Sequence, residues 1–269
     1  MNTAMELKAW QIPTAADTKS DVEASGSLPG AAPRIYYASP LLPGGLRRDW
    51  PALLDHVAWL GFDHLLIAPP FAPGRTGDLF LPSDFSRLHP CLAWEGDAPS
   101  GLRWLAEECR ARRLRLLLDV VGDRVAAGSP IARENPDLFA GPEDIAVLDP
   151  RRGHGGSEAA RARLNRPDMV DWWADRLAIW VQAGVAGFRL LDLGHFPREP
   201  LRQLAEALRR RAPDSVLLGW TPGLSREALA GLEGTGHDFV FSSLPWWDFQ
   251  SGWFWTELEA LSRVAPVIA

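Results

Sequence analysis

The stretch GVAGFRLLDLGHFP, residues 184–197, decides the fold. Its centre, Gly187–Leu191, is a short apolar run without polar–apolar alternation, which is typical of a strand covered on both faces. Directly before it, Asp168–Ala183 places apolar side chains at helical spacing, and Gly184 ends that helix. A helix that leads into a buried strand indicates βαβ units and a parallel sheet.

The same alternation extends in both directions. Further strands are predicted at Arg34–Ala38, His64–Ala68, Arg115–Val121, Val216–Gly219, Phe239–Ser243 and Val264–Ala269. Further helices are predicted at Asp49–Leu60, Ser100–Arg113, Pro200–Arg211, Ser225–Leu232 and Trp253–Arg263, with Asp49 and Ser100 as N-caps. A doubly wound sheet could stop at this strand count, whereas a closed barrel needs eight strands. We expect an α/β fold, a (β/α)₈ TIM barrel truncated within its seventh strand.

The chain divides into three parts by composition. Residues 1–33 are rich in Ala, Ser, Thr and Pro without periodicity and are expected to form a flexible leader. Residues 34–269 form the incomplete barrel. Within it, residues 126–167 carry many Pro, Gly and Arg, which predicts a long loop or a small inserted subdomain after the third strand.

Bulk composition excludes several classes of partner. The 269 residues carry a formal net charge of −6, which argues against binding to nucleic acid or to an anionic membrane surface. No apolar run has the length of a signal peptide or a membrane span, and Cys91 and Cys109 are expected to be buried thiols. We therefore expect a cytoplasmic protein. The 13 tryptophans suit either core packing or the stacking of sugar rings.

Four segments carry a family resemblance. They are DVVGDR (119–124), GVAGFRLLDLGHFP (184–197), VLLGWTPG (216–223) and HDFVFSSLPWWDF (237–249). In order and spacing they resemble successive motifs of the glycoside hydrolase 13 (α-amylase) family, which also inserts its B domain after the third strand. Within that family, residues 241–249 are similar to the α-1,4-glucan:maltose-1-phosphate maltosyltransferase-like group. The resemblance implies an α-amylase-type barrel with its site at the C-terminal strand ends.

The resemblance also implies a chemistry that this chain departs from. Retaining glycoside transfer needs two carboxyl groups, a nucleophile and an acid/base. The nucleophile position of the family motif is Leu191, and the acid/base position is Trp220. Neither side chain can perform its step. The family's third carboxylate would fall after Ala269.

Other positions match the family or replace one polar group by another. Asp119 and Arg189 match, whereas Asp123 and Arg124 stand where the family has Asn and His. Asp192 follows Leu191, and a β-bulge would be needed to turn it inward as a displaced nucleophile. The alternatives are that Asp192 caps the following turn or pairs with Arg189 or His195.

The predicted sugar-binding residues are the polar and aromatic side chains at the strand ends. They are Asp119, Asp123, Arg124, Arg189, His195, Trp220, Trp246 and Trp247. Asp119, Asp123 and Asp192 together could also suggest a divalent cation site. Because Asp119 is more often structural, we expect no metal and no cofactor.

Three functional hypotheses follow. The first is a degenerate domain without its own nucleophile and acid, which binds α-glucan, maltooligosaccharide or maltosyl ligands or supports a catalytic domain of a longer chain. The second is an active retaining glycosidase or maltosyltransferase that acts on α-1,4-glucans through Asp192. The third is a structural half-barrel without a ligand. The first is favoured, because both catalytic positions are changed together.

Overall fold

A computed structural model describes residues 32–140 and 158–269. The predicted leader therefore lies almost wholly outside the described residues, and the compact unit runs from Pro33 to Ala269. No described helix has the length and the apolar character needed to cross a membrane.

One parallel sheet of seven strands organises the described chain. In spatial order its strands are β1 (Ile35–Ala38), β2 (His64–Ile67), β5 (Arg115–Val121), β9 (Gly187–Leu191), β10 (Val216–Gly219), β11 (Phe239–Phe241) and β12 (Val267–Ile268). Every neighbouring pair is parallel. The strands β5, β9 and β10 have the predicted bounds, and the α-amylase-type barrel prediction is confirmed as a curled, incomplete sheet.

Helices connect these strands on the outside. They are α1 (Leu46–Trp59), α2 (Ala98–Ala111), α3 (Pro130–Glu134), α4 (Pro167–Gln182), α5 (Arg198–Arg211), α6 (Arg226–Gly231) and α7 (Trp253–Ser262). Two predicted N-caps are wrong. The N-cap of α1 is Gly45 rather than Asp49, and Asp97 caps α2 by accepting a hydrogen bond from the backbone N–H of Ser100. Asp97 is the better cap because its carboxylate reaches an N–H group three residues further along.

The two faces of the sheet bury different layers. Leu66, Leu117 and Leu218 come from three different strands and form an inner cluster. Their neighbours along the strands, such as Leu65 and Leu116, belong to the large outer core beneath the helices. Both faces are therefore apolar, which is why the strands show no alternation in sequence.

Two small antiparallel sheets were not predicted. Strand β3 (Phe71–Pro73) pairs with β4 (Pro82–Leu88) directly after β2. Strands β6 (Arg124–Ala126), β7 (Phe139–Ala140) and β8 (Ala159–Ala162) form a sheet of order β6-β8-β7 in the insert after β5. The segment 126–167 thus contains strands β7 and β8 of this small sheet. Residues 141–157 of the segment lie outside the described part.

Candidate functional site at the barrel mouth

Arg189 occupies the mouth of the incomplete barrel. Its Nε donates to Asp119 Oδ1 at 2.6 Å, and a terminal nitrogen donates to Asp119 Oδ2 at 2.8 Å. The side chains of Asp119 and Arg189 are 0% and 9% exposed. Both are inward-facing strand residues paired in register between β5 and β9. The family-matching residues therefore form a buried, bidentate ion pair.

Three aromatic rings surround this ion pair. The guanidinium carbon of Arg189 lies between 4.6 and 5.4 Å from the ring centroids of Tyr37, Trp220 and Phe241. These distances are within the range of cation–π attraction. We call Arg189, Asp119, Tyr37, Trp220 and Phe241 the mouth cluster. It fills the end of the barrel with a cation held by one carboxylate and three rings.

Burial sets the electrostatics of the mouth cluster. Desolvation raises the pKa of Asp119, while the hydrogen bonds and the charge of Arg189 act in the opposite direction. Burial, followed by the nearby charge of Asp119, also raises the pKa of Tyr37. Because the Asp119 side chain is fully buried beneath Arg189, this carboxylate is not presented to a ligand.

Asp123 is the centre of a second polar group, which we call the Asp123 cluster. Its carboxylate, only 2% exposed, accepts hydrogen bonds at 2.8 Å from Arg124 and from Arg161. His195 Nδ1 lies 2.9 Å from the same carboxylate. Burial by itself would raise the pKa of Asp123, but the His195 hydrogen bond and the two arginine charges outweigh it and the pKa is lowered.

Asp192 joins the Asp123 cluster through Arg124. Its carboxylate accepts a hydrogen bond from Arg124 at 2.6 Å, a partner that the sequence did not suggest. No bulge turns Asp192 into the sheet, since β9 ends at Leu191 and Asp192 adopts a left-handed conformation with φ of 54°. Asp192 stands at the N-cap position of the following turn, where its side chain makes no capping hydrogen bond. Of the three alternatives weighed from sequence, capping by Asp192 is therefore wrong.

The segment after β11 contributes exposed aromatic residues. Trp246 is 62% exposed. Trp247 instead stacks on Phe254, with ring centroids 4.6 Å apart, and its Nε1 donates to the carbonyl of Ser251. Asp248 closes the turn by accepting hydrogen bonds from Gln250 and Ser251, which hold its pKa down at about 2. Trp246 is thus available to a ligand, while Trp247 mainly supports the loop.

Most of the chain is similar to part of a curated maltosyltransferase. The chain is 35% identical over 246 residues to the α-1,4-glucan:maltose-1-phosphate maltosyltransferase of Burkholderia pseudomallei (strain K96243). The match covers 90% of this chain but 22% of that protein, so the chain spans about a fifth of its curated relative. No family model matches the chain.

Solved structures show the same fold at low sequence identity. An α-amylase from Lactobacillus plantarum superposes with a TM-score of 0.66 at 16% identity, covering 86% of this chain and 58% of that one. The α-amylase from Geobacillus thermoleovorans, complexed with acarbose, gives a TM-score of 0.63 at 20% identity, covering 79% and 52%. The resemblance to the glycoside hydrolase 13 (α-amylase) family is confirmed.

Leu191 and Trp220 lie at the C-terminal ends of the neighbouring strands β9 and β10. Leu191 is the last residue of β9, on the same face as Arg189, and it is 9% exposed. Trp220 directly follows β10, and its ring packs against Phe241 with centroids 5.3 Å apart. These are the two positions that the family resemblance in the sequence assigns to the nucleophile and the acid.

Four residues described above were missed in the sequence: Tyr37, Phe241, Arg161 and Glu257. Tyr37 shares the inward face of β1 with Ile35, so strand alternation could have found it. Arg161 comes from the short strand β8, whose sheet had no sequence signal. Glu257, on α7, accepts hydrogen bonds from the backbone N–H and the hydroxyl of Ser243. A helical glutamate carries no signal of such a contact.

The described carboxylates at the mouth are all paired with arginines. Asp119, Asp123 and Asp192 are each bound by at least one arginine. The pKa of Asp119 is raised by its burial, whereas the pKa of Asp123 is lowered by His195 and two arginines. Within residues 32–140 and 158–269, no group of three or more His, Cys, Asp or Glu side chains is arranged to hold a metal ion.

Proposed function

We propose that this chain is a non-catalytic α-amylase-type domain that binds α-glucan or maltosyl ligands. The observation that supports it most is the mouth cluster. Arg189 and Asp119 bind each other there. Leu191 and Trp220 lie beside them, at the positions of the nucleophile and the acid in the family pattern. The scaffold of a carbohydrate enzyme is kept, while the groups that would form and hydrolyse a glycosyl ester are absent from their positions.

The test is turnover in the full-length protein after Asp192→Asn. We expect hydrolysis of aryl maltosides and turnover of maltose 1-phosphate to stay at the wild-type level, because the Asp192 carboxylate is held by Arg124. The matched control is Asp171→Asn, which removes an exposed carboxylate on α4. Loss of activity in Asp192→Asn alone would show that Asp192 is a displaced nucleophile and would overturn the proposal.

Binding is measured separately. Titration of the chain with maltotetraose, followed by tryptophan fluorescence, is expected to give a saturable change. A chain that shows no change over the whole titration would favour the structural half-barrel instead.

A second candidate function is support of a neighbouring catalytic domain. It is favoured by the length of the curated relative, of which the chain spans 22%. Deleting this domain from a longer protein would then lower the activity or stability of the remainder even without glucan. The cytoplasmic location expected from the thiols Cys91 and Cys109, both unpaired, belongs to the same proposal.

A further inference from the structure

A cleft lies beside the barrel mouth, between the segment after β10 and the segment after β11. Its volume is about 550 Å³. It is lined by Trp220, Pro222, Gly223, Leu224, Ser243, Trp246, Trp253 and Glu257. Trp253 and Glu257 belong to α7 and were not singled out in the sequence. The cleft therefore joins one mouth-cluster residue to a helix outside the family motifs.

Three indole rings are presented to this cleft. Trp246 is 62% exposed and Trp253 is 42% exposed, which is unusual for such large apolar side chains. Trp220 is held in place by Arg189 and Phe241. Exposed aromatic groups that gather around one concave surface mark a binding site. Pyranose rings offer flat C–H faces that pack on such indoles.

Glu257 supplies the polar group of the cleft. One carboxylate oxygen accepts a hydrogen bond from the Ser243 hydroxyl at 2.5 Å, and the other accepts from the Ser243 backbone N–H at 3.0 Å. These two bonds fix the carboxylate's orientation. Because an ionised carboxylate offers about four acceptor positions, acceptor capacity remains for hydroxyl donors. Sugar hydroxyl groups are such donors.

The charge of the lining selects among sugars. The lining residues include one acidic side chain and no Lys, Arg or His. An anionic sugar phosphate would meet an uncompensated carboxylate there, whereas a neutral sugar would not. Moreover, the Arg189 guanidinium at the barrel mouth is packed against Tyr37 and Phe241.

We propose that the cleft formed by Trp220, Trp246, Trp253 and Glu257 binds an uncharged α-glucan chain beside the barrel axis. This inference rests on the proposed glucan-binding function and gives it a location. The bound sugar rings stack on the indoles, and their hydroxyl groups donate to Glu257.

The experiment uses the chain labelled with 5-fluorotryptophan and titrated with maltotetraose or with maltose 1-phosphate. The fluorine resonances of Trp246 and Trp253, assigned by their loss in single variants, are expected to shift with maltotetraose. Trp253→Ala is expected to weaken maltotetraose binding about ten-fold, the usual effect of removing a central aromatic contact. Glu257→Gln is expected to weaken it by a smaller factor.

Matched controls separate the cleft from the rest of the surface. Trp255→Ala removes a 60% exposed indole from the same helix, and Trp59→Ala removes a 79% exposed indole from α1. Neither residue lines the cleft, so neither change should alter the affinity. Thermal melting checks the fold of each variant. If Trp253→Ala does not fold, maltotetraose binding is measured with Trp253→Phe and Glu257→Gln instead.

The possible results distinguish the location of the ligand, its charge and glucan binding itself. If Trp253→Ala and Glu257→Gln bind maltotetraose normally while Arg124→Ala does not, the ligand lies in the barrel mouth. The cleft assignment is then overturned and glucan binding stands. Tighter binding of maltose 1-phosphate than of maltotetraose at the Trp253 resonance would overturn the assignment to an uncharged ligand. If no resonance responds to maltotetraose, the proposed function itself fails.

Discussion

Arg189 is held at the barrel mouth by one carboxylate and three aromatic rings. The same guanidinium that would lie beside a nucleophile in the resembled family here has Leu191 two residues further along β9. Its charge is balanced by Asp119 and by the faces of three rings. In this chain the pair stabilises the barrel mouth, because either charge alone would be buried without a partner.

We therefore expect Arg189→Met to destabilise the chain strongly. Breaking a buried ion pair costs about 3–5 kcal/mol of unfolding free energy, since it leaves one charge uncompensated. The double variant Asp119→Leu/Arg189→Met should recover much of that loss, because no charge is then buried. Urea unfolding of the two variants measures both effects.

The control for this prediction is Arg202→Ala on α5. Arg202 pairs with Glu199 on the exposed surface, where solvent screens the interaction, so its removal should change stability little. Equal destabilisation by Arg189→Met and by Arg202→Ala would contradict a special contribution of the buried pair.

The secondary-structure elements predicted most accurately are those that a local sequence pattern determines. Strands β5, β9 and β10 begin and end at the predicted residues, because each is a short and mostly apolar run. The hairpin β3–β4 and the sheet β6-β8-β7 were not predicted. Their strands have between two and seven residues, and β8 finds its partners only across the insert. Pairing over that distance leaves no periodic signal.

At the level of strand pairing, Gly187 is the most sensitive position. A Cβ atom at Gly187 would lie 2.3 Å from the carbonyl oxygen of Val216 on the neighbouring strand β10. We expect Gly187→Ala to push β9 and β10 apart and to cost about 1–3 kcal/mol or more, as overpacking does. Urea or thermal unfolding measures this loss.

Gly231→Ala is the matched control at the end of α6. A Cβ there meets no atom within 4 Å. Alanine should therefore be neutral or should stabilise the helix by roughly 0.5–1 kcal/mol. A neutral result for Gly187→Ala would mean that the two strands are not paired as described.

On the scale of the whole molecule, buried histidines make the fold sensitive to acid. His237 lies in the interior, with Nδ1 2.9 Å from the Thr235 hydroxyl and with Nε2 lacking a hydrogen-bond partner among the described residues. Desolvation lowers its pKa to about 4. Burial likewise lowers the pKa of His64, against the opposing effect of Asp63.

Stability is expected to fall as the pH falls below about 6.5. Between that value and pH 4, the unfolded chain binds a proton at His237 that the folded chain does not, so protonation favours unfolding. For His237, the expected loss from pH 7.5 to pH 5 is about 2 kcal/mol. Urea unfolding at several pH values measures the slope.

His237→Gln should flatten this pH dependence, leaving the smaller contribution of His64. Gly231→Ala, which adds no titrating group, should keep the wild-type slope. An unchanged slope in His237→Gln would show that other groups set the acid sensitivity.

The sequence by itself determined the barrel strands and the residue types at their ends. Apolar periodicity is a local property, and Leu191 or Trp220 cannot act as nucleophile or acid in any fold. The tertiary structure alone decided which side chains meet. Arg189 and Asp119 form an ion pair although they are 70 residues apart in sequence, and Asp192 and Arg124 do so over 68 residues. Glu257 accepts a hydrogen bond from Ser243. Such contacts depend on strand register and on the placement of α7. Charged groups pair when they lie close together, and only folding brings residues that are distant in sequence into proximity.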